Sequence, residues 1–163
     1  MVSIRKTTKD EADLLAEIQR QAFLPLYEHY HDAGNPALRG PEDILKRLNS
    51  PFFHCFTILY EGETVGGIIY KCQGGTPFQE ELSPGEYYLQ RVFIRPEYQG
   101  KHIARTAIRL CEKEFPDATA YFVDFPDDLE KNRRSYESAG FRDTGKRLEF
   151  APGLVLAAME KQG

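Results

Sequence analysis

The sequence predicts an α+β fold, or a mixed α/β one, in which a single mixed sheet carries about four helices. Three observations point there. Residues 53–71 read as a hairpin, because two runs rich in β-branched and aromatic residues flank Glu61-Gly62-Glu63. Between residues 86 and 124 a strand, an amphipathic helix and a second strand follow one another without a hairpin, the pattern of a right-handed βαβ unit with parallel strands. Two further strands straddle Pro152-Gly153. With 163 residues, 41% hydrophobic and 28% charged, the chain suits one domain, 1–163, large enough to fold without disulfide or metal.

Each element has a local reason. Val2 to Lys6 alternates apolar and polar side chains, as a short strand does. Thr8 or Asp10 caps a helix running to about Phe23, with Leu14, Leu15, Ile18, Ala22 and Phe23 at helical spacing, and Pro25 breaks or kinks it. Residues 25–41 read as a loop or loose helix carrying Tyr27, Glu28, His29, Tyr30, His31 and Asp32. Pro41 suits a first helical position and starts a helix ending near Ser50. Phe53–Tyr60 and Thr64–Lys71 are the hairpin strands, and Gly66-Gly67 marks a bulge or the close approach of another backbone. The glycines and prolines of residues 73–85 make an exposed loop, and Glu86 to Arg95 is a strand stopped by Pro96. From about Gly100 to Phe115, Ile103, Ala104, Ala107, Ile108, Cys111 and Phe115 share one helical face. Ala118–Asp124 is a strand and Asp128–Ala139 a helix closed by Gly140, before the last strands Phe141–Phe150 and Leu154–Lys161.

Composition removes several function classes. A net charge of −4, from 21 Lys+Arg and 25 Asp+Glu, argues against a nucleic-acid binder while leaving room for a local basic pocket. The same mild acidity suggests a small basic substrate. No run approaches the roughly 18 apolar residues of a membrane span, so no membrane partner is expected. Met1 to Asp13 mixes charges throughout and lacks the apolar core of a secretory signal. Cys55, Cys72 and Cys111 are few, widely spaced and outside any CxxC pair, which suits reduced thiols in the cytoplasm.

Two stretches carry chemistry. Pro96-Glu97-Tyr98-Gln99-Gly100 offers no good side-chain cap to the helix that follows, and Lys101, His102 and Arg105 crowd its positive end. An anion bound to the free N–H groups and the cations resolves that arrangement, and Gly100 leaves space for a phosphate beside the backbone. The plainer alternative is a solvated stripe of Lys101, Arg105, Arg109 and Lys113 at helical spacing. In the second stretch Leu129, Asn132 and Tyr136 share the face that points inward, so the Asn132 amide and the Tyr136 hydroxyl need partners that a ligand can supply. A packed structural tyrosine is the alternative there.

Together these stretches resemble the GNAT acetyltransferase superfamily, in element order from Ile4 to the C-terminal end. The family's acyl-CoA signature, Gln/Arg-x-x-Gly-x-Gly/Ala after a strand and opening a helix, reads here Gln99-Gly100-Lys101-His102-Ile103-Ala104, with His102 in place of the expected glycine. Its later signature, an Asn followed by Tyr-Glu-x-x-Gly-Phe, reads Asn132 and Tyr136-Glu137-Ser138-Ala139-Gly140-Phe141, with the Asn in many members a turn further upstream. The resemblance implies a mostly antiparallel sheet of six to seven strands, splayed between the fourth and fifth. It implies acetyl-CoA as co-substrate and no metal. The pyrophosphate would lie on N–H groups from Gln99 to Ala104 with Lys101, His102 and Arg105 beside it. The pantetheine would pair with Val92, Phe93 and Ile94 and hydrogen-bond Asn132, and Tyr136 would protonate the leaving thiolate.

By the same resemblance, a primary amine of a small molecule or peptide attacks the thioester directly. Its base is Glu86, Glu28, His29, His31 or a water chain, and residues 27–32 either occupy the place of the acceptor wall or form a surface loop with ordinary aromatics. Dimers are common in the superfamily, so a homodimer is among the expected states. Two other readings stand beside this one. An acyl-CoA-binding module without turnover is motivated by His102 and the displaced Asn132. A metal-dependent hydrolase would use His29, His31, Asp32 and one of His54 or His102, though His-x-His-Asp in a Pro/Gly-rich loop matches no zinc-binding helix signature.

Overall fold

The computed structural model describes residues 1–163. Strand β1 (Val2–Lys6) leads into helices α1 (Ala12–Tyr30) and α2 (Pro41–Leu48). Strands β2 (Phe53–Tyr60), β3 (Glu63–Lys71) and β4 (Glu86–Ile94) follow, then α3 (Ile103–Glu112), β5 (Ala120–Pro126), α4 (Glu130–Ser138), β6 (Arg142–Ala151) and β7 (Leu154–Gln162). The seven strands form one sheet in the order β1-β2-β3-β4-β5-β7-β6. Only β4 and β5 run parallel, as the predicted βαβ unit requires.

The sheet is packed on both faces. On one, Ile103, Ala107, Ile108 and Cys111 of α3 join Tyr136 of α4 over Ile58, Val65 and Leu89, in the larger core. Full burial of side chains such as Ile103 and Ile108 contributes roughly 2 kcal/mol each and fixes where α3 begins. On the other face, Leu15 and Ile18 of α1 and Ile44 of α2 pack on Phe93. Gly66 and Gly67 make this layering feasible. A Cβ on Gly66 would overlap the Phe93 carbonyl oxygen, and one on Gly67 would strike the Phe93 ring, so the predicted close approach is present. A bulge lies beside it, where Ile58 pairs with Gly66 but Leu59 with Thr64.

A second bulge positions the site. Arg91 pairs with Ile69 and Leu89 with Tyr70, leaving Gln90 as an extra residue in β4. Regular alternation would send Arg91 to the face of Leu89, under α3. The inserted residue turns it to the opposite face, where its guanidinium reaches Gln19 of α1 and Asp43 of α2.

Several boundaries differ from the sequence expectation. Helix α1 runs through Pro25 to Tyr30 and ends on left-handed His31 (φ 51°), so Tyr27, Glu28, His29 and Tyr30 are helical. Pro25 costs the helix one N–H donor and crowds the carbonyl a turn back, while the Tyr30 hydroxyl beyond it bonds to the Asp128 carboxylate and ties down the last turn. The hairpin turn has two residues, not three, because Glu61 (φ 51°) and Gly62 (φ 82°) are both left-handed, the requirement of the tight hairpin turn. Helix α3 starts at Ile103 rather than Gly100, and β5 spans 120–126 rather than 118–124. The end of α4 is as predicted: Gly140 (φ 101°) is left-handed, and Phe141 N–H donates to the Tyr136 carbonyl while Gly140 N–H donates to that of Glu137.

Candidate active site

The parallel strands part halfway along. Glu86, Tyr87 and Tyr88 pair with Ala120, Tyr121 and Phe122, and the pairing stops there. Beyond it Leu89–Ile94 and Val123–Pro126 diverge, so the sheet opens between its fourth and fifth strands in chain order. Alternate N–H groups of this part of β4 face the gap, because a strand's backbone groups point to its two edges in turn.

The chain leaves β4 through a short turn, Pro96–Tyr98, and reaches α3 through two left-handed residues, Gly100 (φ 82°) and His102 (φ 61°, ψ 21°). His102 is the N-cap of α3 and makes no side-chain cap. The N–H groups of Gly100, Lys101, His102, Ile103, Ala104 and Arg105 find no backbone acceptor within the protein. Six consecutive donors therefore stand free at the positive end of a helix, where phosphate binds readily. Gln99 has a different part from the one expected. Its N–H donates to the Pro96 carbonyl (3.2 Å) and its side-chain amide to the Ile94 carbonyl (3.1 Å), so it pins the loop instead of extending the donor run. The glycine expected at residue 102 is explained by the left-handed backbone there. Histidine tolerates that conformation better than branched residues do, at roughly 1–2 kcal/mol.

Tyr136 is buried between Phe125 (5.5 Å between centroids) and Phe141 (6.0 Å), within reach of the Asp124 charge. Burial first, and the nearby Asp124 charge second, push its hydroxyl above the ordinary phenol range, so it stays protonated at neutral pH. Asn132 lies half-buried one turn earlier on α4. Val92 is half-buried and Phe93 and Ile94 buried along the parted stretch of β4.

Asp124 is a further residue of the site, outside the sequence expectation. The apolar residues Tyr121, Val123 and Phe125 alternate along β5 into the core, which leaves Asp124 on the other face where the strands diverge. Tyr88 Oη donates to Asp124 Oδ2 at 2.8 Å. Desolvation nonetheless prevails over that bond and raises the carboxyl pKa to about 6. A carboxylate at the C-terminal end of a parallel strand, beside the point where the sheet opens, is the available sequence signal.

Asp124 opens onto a cavity of about 520 Å³, of the size small-molecule sites have. Tyr30 and Asp32 from the end of α1, Arg47 from α2, Tyr88, Gln90 and Arg91 from β4, and Phe150 and Leu154 around the β6–β7 turn contribute to its wall. The Tyr30 hydroxyl bonds to the Asp128 carboxylate and ties the end of α1 to the loop after β5. Of the bases named from sequence, none faces this cavity. Glu28, His29 and His31 are exposed on the far side of the last turn of α1. Glu86 stands at the paired end of β4, where it accepts from Ser83 N–H (2.8 Å). His54 lies against Phe115 (5.1 Å), and no three His, Cys, Asp or Glu side chains cluster to hold a metal ion.

Comparison with known proteins agrees with this architecture. A family model described as Acetyltransferase (GNAT) family matches residues 14–141. The uncharacterized protein YrkN of Bacillus subtilis (strain 168) is 21% identical over 127 residues, 70% of this chain, and the chain spans 64% of the length of that relative. The PaiA N-acetyltransferase from Thermoplasma acidophilum, solved in complex with coenzyme A, superposes with a TM-score of 0.71 at 17% identity over 100% of this chain and 99% of its own. AAC(6')-Ib, solved in complex with ribostamycin and coenzyme A, does so with a TM-score of 0.77 at 17% identity, over 99% of this chain and 93% of its own. At such identities the likeness is one of fold.

Proposed function

The chain belongs to the acetyltransferase (GNAT) family, and on that premise we propose that residues 1–163 form one N-acetyltransferase domain, moving the acetyl group of acetyl-CoA onto a primary amine by direct attack. Six unpartnered N–H groups, Gly100 to Arg105, are the observation that carries this reading. They suit the pyrophosphate of a coenzyme A substrate, with Lys101 and Arg105 supplying positive charge. The gap beside β4 suits an extended chain that pairs with Val92, Phe93 and Ile94.

In the transfer the amine nitrogen forms a bond to the thioester carbonyl carbon, and the carbon–sulfur bond breaks. The amine loses a proton and the leaving thiolate gains one. Asp124, with its carboxyl near 6, is ionised at neutral pH yet basic enough to take the amine proton. Tyr136, held protonated, donates to the sulfur. A β4 N–H facing the gap stabilises the oxyanion, a contribution of roughly 3–4 kcal/mol for one such donor. The unpaired thiols Cys55, Cys72 and Cys111 support a reducing, cytoplasmic setting.

A second reading, a coenzyme A-binding module without turnover, draws on left-handed His102. Release of free thiol from acetyl-CoA, followed across a broad amine panel with acetyl-CoA affinity measured in parallel, separates the two. Turnover with N-acetylated product is the expected result. Binding without turnover on any amine would establish the module instead.

A further inference from the structure

We propose that the acceptor carries a carboxylate as well as its amine, so that the cavity takes a small zwitterion of the amino-acid class. This rests on the acetyltransferase reading and adds the substrate class to it.

Two arginines in the cavity wall share one carboxylate. Arg47 Nη1 lies 2.6 Å from Asp43 Oδ1, and Arg91 Nη1 lies 2.7 Å from Asp43 Oδ2. Their other protein partners are neutral: Arg47 Nε donates to Gln90 Oε1 (2.9 Å) and Arg91 Nη1 to Gln19 Oε1 (3.1 Å). Two positive charges thus meet one negative charge at a place where the Arg91 side chain is 7% exposed and that of Arg47 15%. Arg39 lies near enough to add repulsion. Desolvated surplus charge is costly unless a counter-charge reaches it.

The adjoining cavity is the place from which such a counter-charge can reach the pair. Asp43 bridges the pair without reaching the cavity, whereas Arg47 and Arg91 both contribute to its wall. Guanidinium groups bind carboxylates through paired N–H donors, which fits a ligand carboxylate at this wall. Opposite signs stand elsewhere around the same space. Asp124 is held by Tyr88, and Asp32 accepts from Asn35 Nδ2 (3.2 Å). The cavity wall therefore carries two cations, Arg47 and Arg91, and two anions, Asp32 and Asp124, whose protein partners are Asn35 and Tyr88 rather than the arginines. The bulge at Gln90 creates this arrangement, since it turns Arg91 toward the cavity. Phe23, Leu26, Phe150 and Leu156 leave an apolar region for a side chain. A polyamine or aminoglycoside, positive at every end, would set a cation against the arginine pair. The acidity of the whole chain, which suggested a basic substrate, does not extend to this wall.

Matched pairs that differ only in the carboxylate test the inference: leucine against leucinamide and phenylalanine against phenylalaninamide, with spermidine as a third arm. With acetyl-CoA saturating, the free acids should exceed their amides at least tenfold in kcat/KM, and spermidine should fall below both. Arg47→Gln should bring the acid-to-amide ratio toward one, chiefly by raising KM for the acid, and Arg47→Lys should restore part of it. Amides or spermidine turned over as well as the acids would overturn the inference while leaving the acetyltransferase reading standing. The same pairs are titrated calorimetrically into the wild-type protein in the presence of coenzyme A. At least tenfold tighter binding of the acids supports the inference even without turnover, whereas equal binding, or none, refutes it.

Discussion

The two sides of the open β4–β5 gap are built in different ways. On one side, the donors of Gly100–Arg105 come from a single loop and the first turn of a single helix. On the other, the cavity gathers Tyr30, Arg47, Arg91, Asp124 and Phe150 from α1, α2, β4, β5 and β6. Backbone conformation makes the first site, so it accepts a histidine at residue 102 as long as the left-handed turn survives. Side-chain identity makes the second, so single substitutions there change charge and proton transfer directly. Changes in the loop should therefore act on acetyl-CoA affinity, and changes in the cavity on the acceptor reaction.

The largest effect is expected at Asp124. Asp124→Asn should lower kcat/KM for the acceptor by about 100-fold or more, as loss of a general base does. It should also remove the acidic limb of the pH profile near pH 6 while leaving acetyl-CoA affinity unchanged. Stability should move the other way. The folded carboxyl titrates near 6 against an ordinary 3.8, so its ionisation is harder in the fold and stability falls as pH rises from about 4 through 6. Asp124→Asn should therefore be more stable than wild type at pH 7, by about 2–3 kcal/mol at most. That advantage should vanish below about pH 4 in denaturant melts. A wild-type rate in this variant would remove Asp124 as the base.

Next comes the loop. Gln99→Ala combined with Gly100→Val places a branched side chain on a left-handed residue and removes the bond to the Ile94 carbonyl. The acetyl-CoA dissociation constant should rise about tenfold or more, about 1.4 kcal/mol, with kcat at saturation little changed. An unaltered constant would move the donor site elsewhere. Tyr136→Phe should lower kcat by up to about tenfold at unchanged acetyl-CoA affinity, and an unaltered rate would relieve Tyr136 of proton transfer. The smallest change is His102→Gly, which relieves the left-handed strain and should raise stability by about 1 kcal/mol with acetyl-CoA still bound. Lost binding in that variant would assign the imidazole itself to the ligand.

The same contrast explains how much of the molecule is legible in its sequence. The donor loop is contiguous, so a missing cap, a glycine and three basic residues over residues 100–105 announce it locally. Its fine structure was not legible. Which N–H groups are free depends on Gln99 bonding back to Pro96 and on the conformation of His102, and neither follows from residue type. The cavity is assembled from distant residues. The bulge at Gln90 reverses the face of Arg91, and no periodicity in Glu86–Ile94 signals it. Asp124 reads as the last residue of a strand, and nothing local marks that the parallel pairing stops at Phe122, which is a tertiary event. In the same way, the sequence leaves the tail of α1 open beyond Pro25, because what holds it lies about a hundred residues away, as the Tyr30–Asp128 bond illustrates.

On the proposed reading, donor and acceptor must meet across the gap in one complex for the acetyl group to pass directly between them. Initial rates with acetyl-CoA and the preferred amine both varied measure this most directly. Lines that intersect in the double-reciprocal plot, with no acetylated protein detected by mass, are the predicted result. Parallel lines, together with an acetyl group recovered on the protein in the absence of amine, would contradict direct transfer.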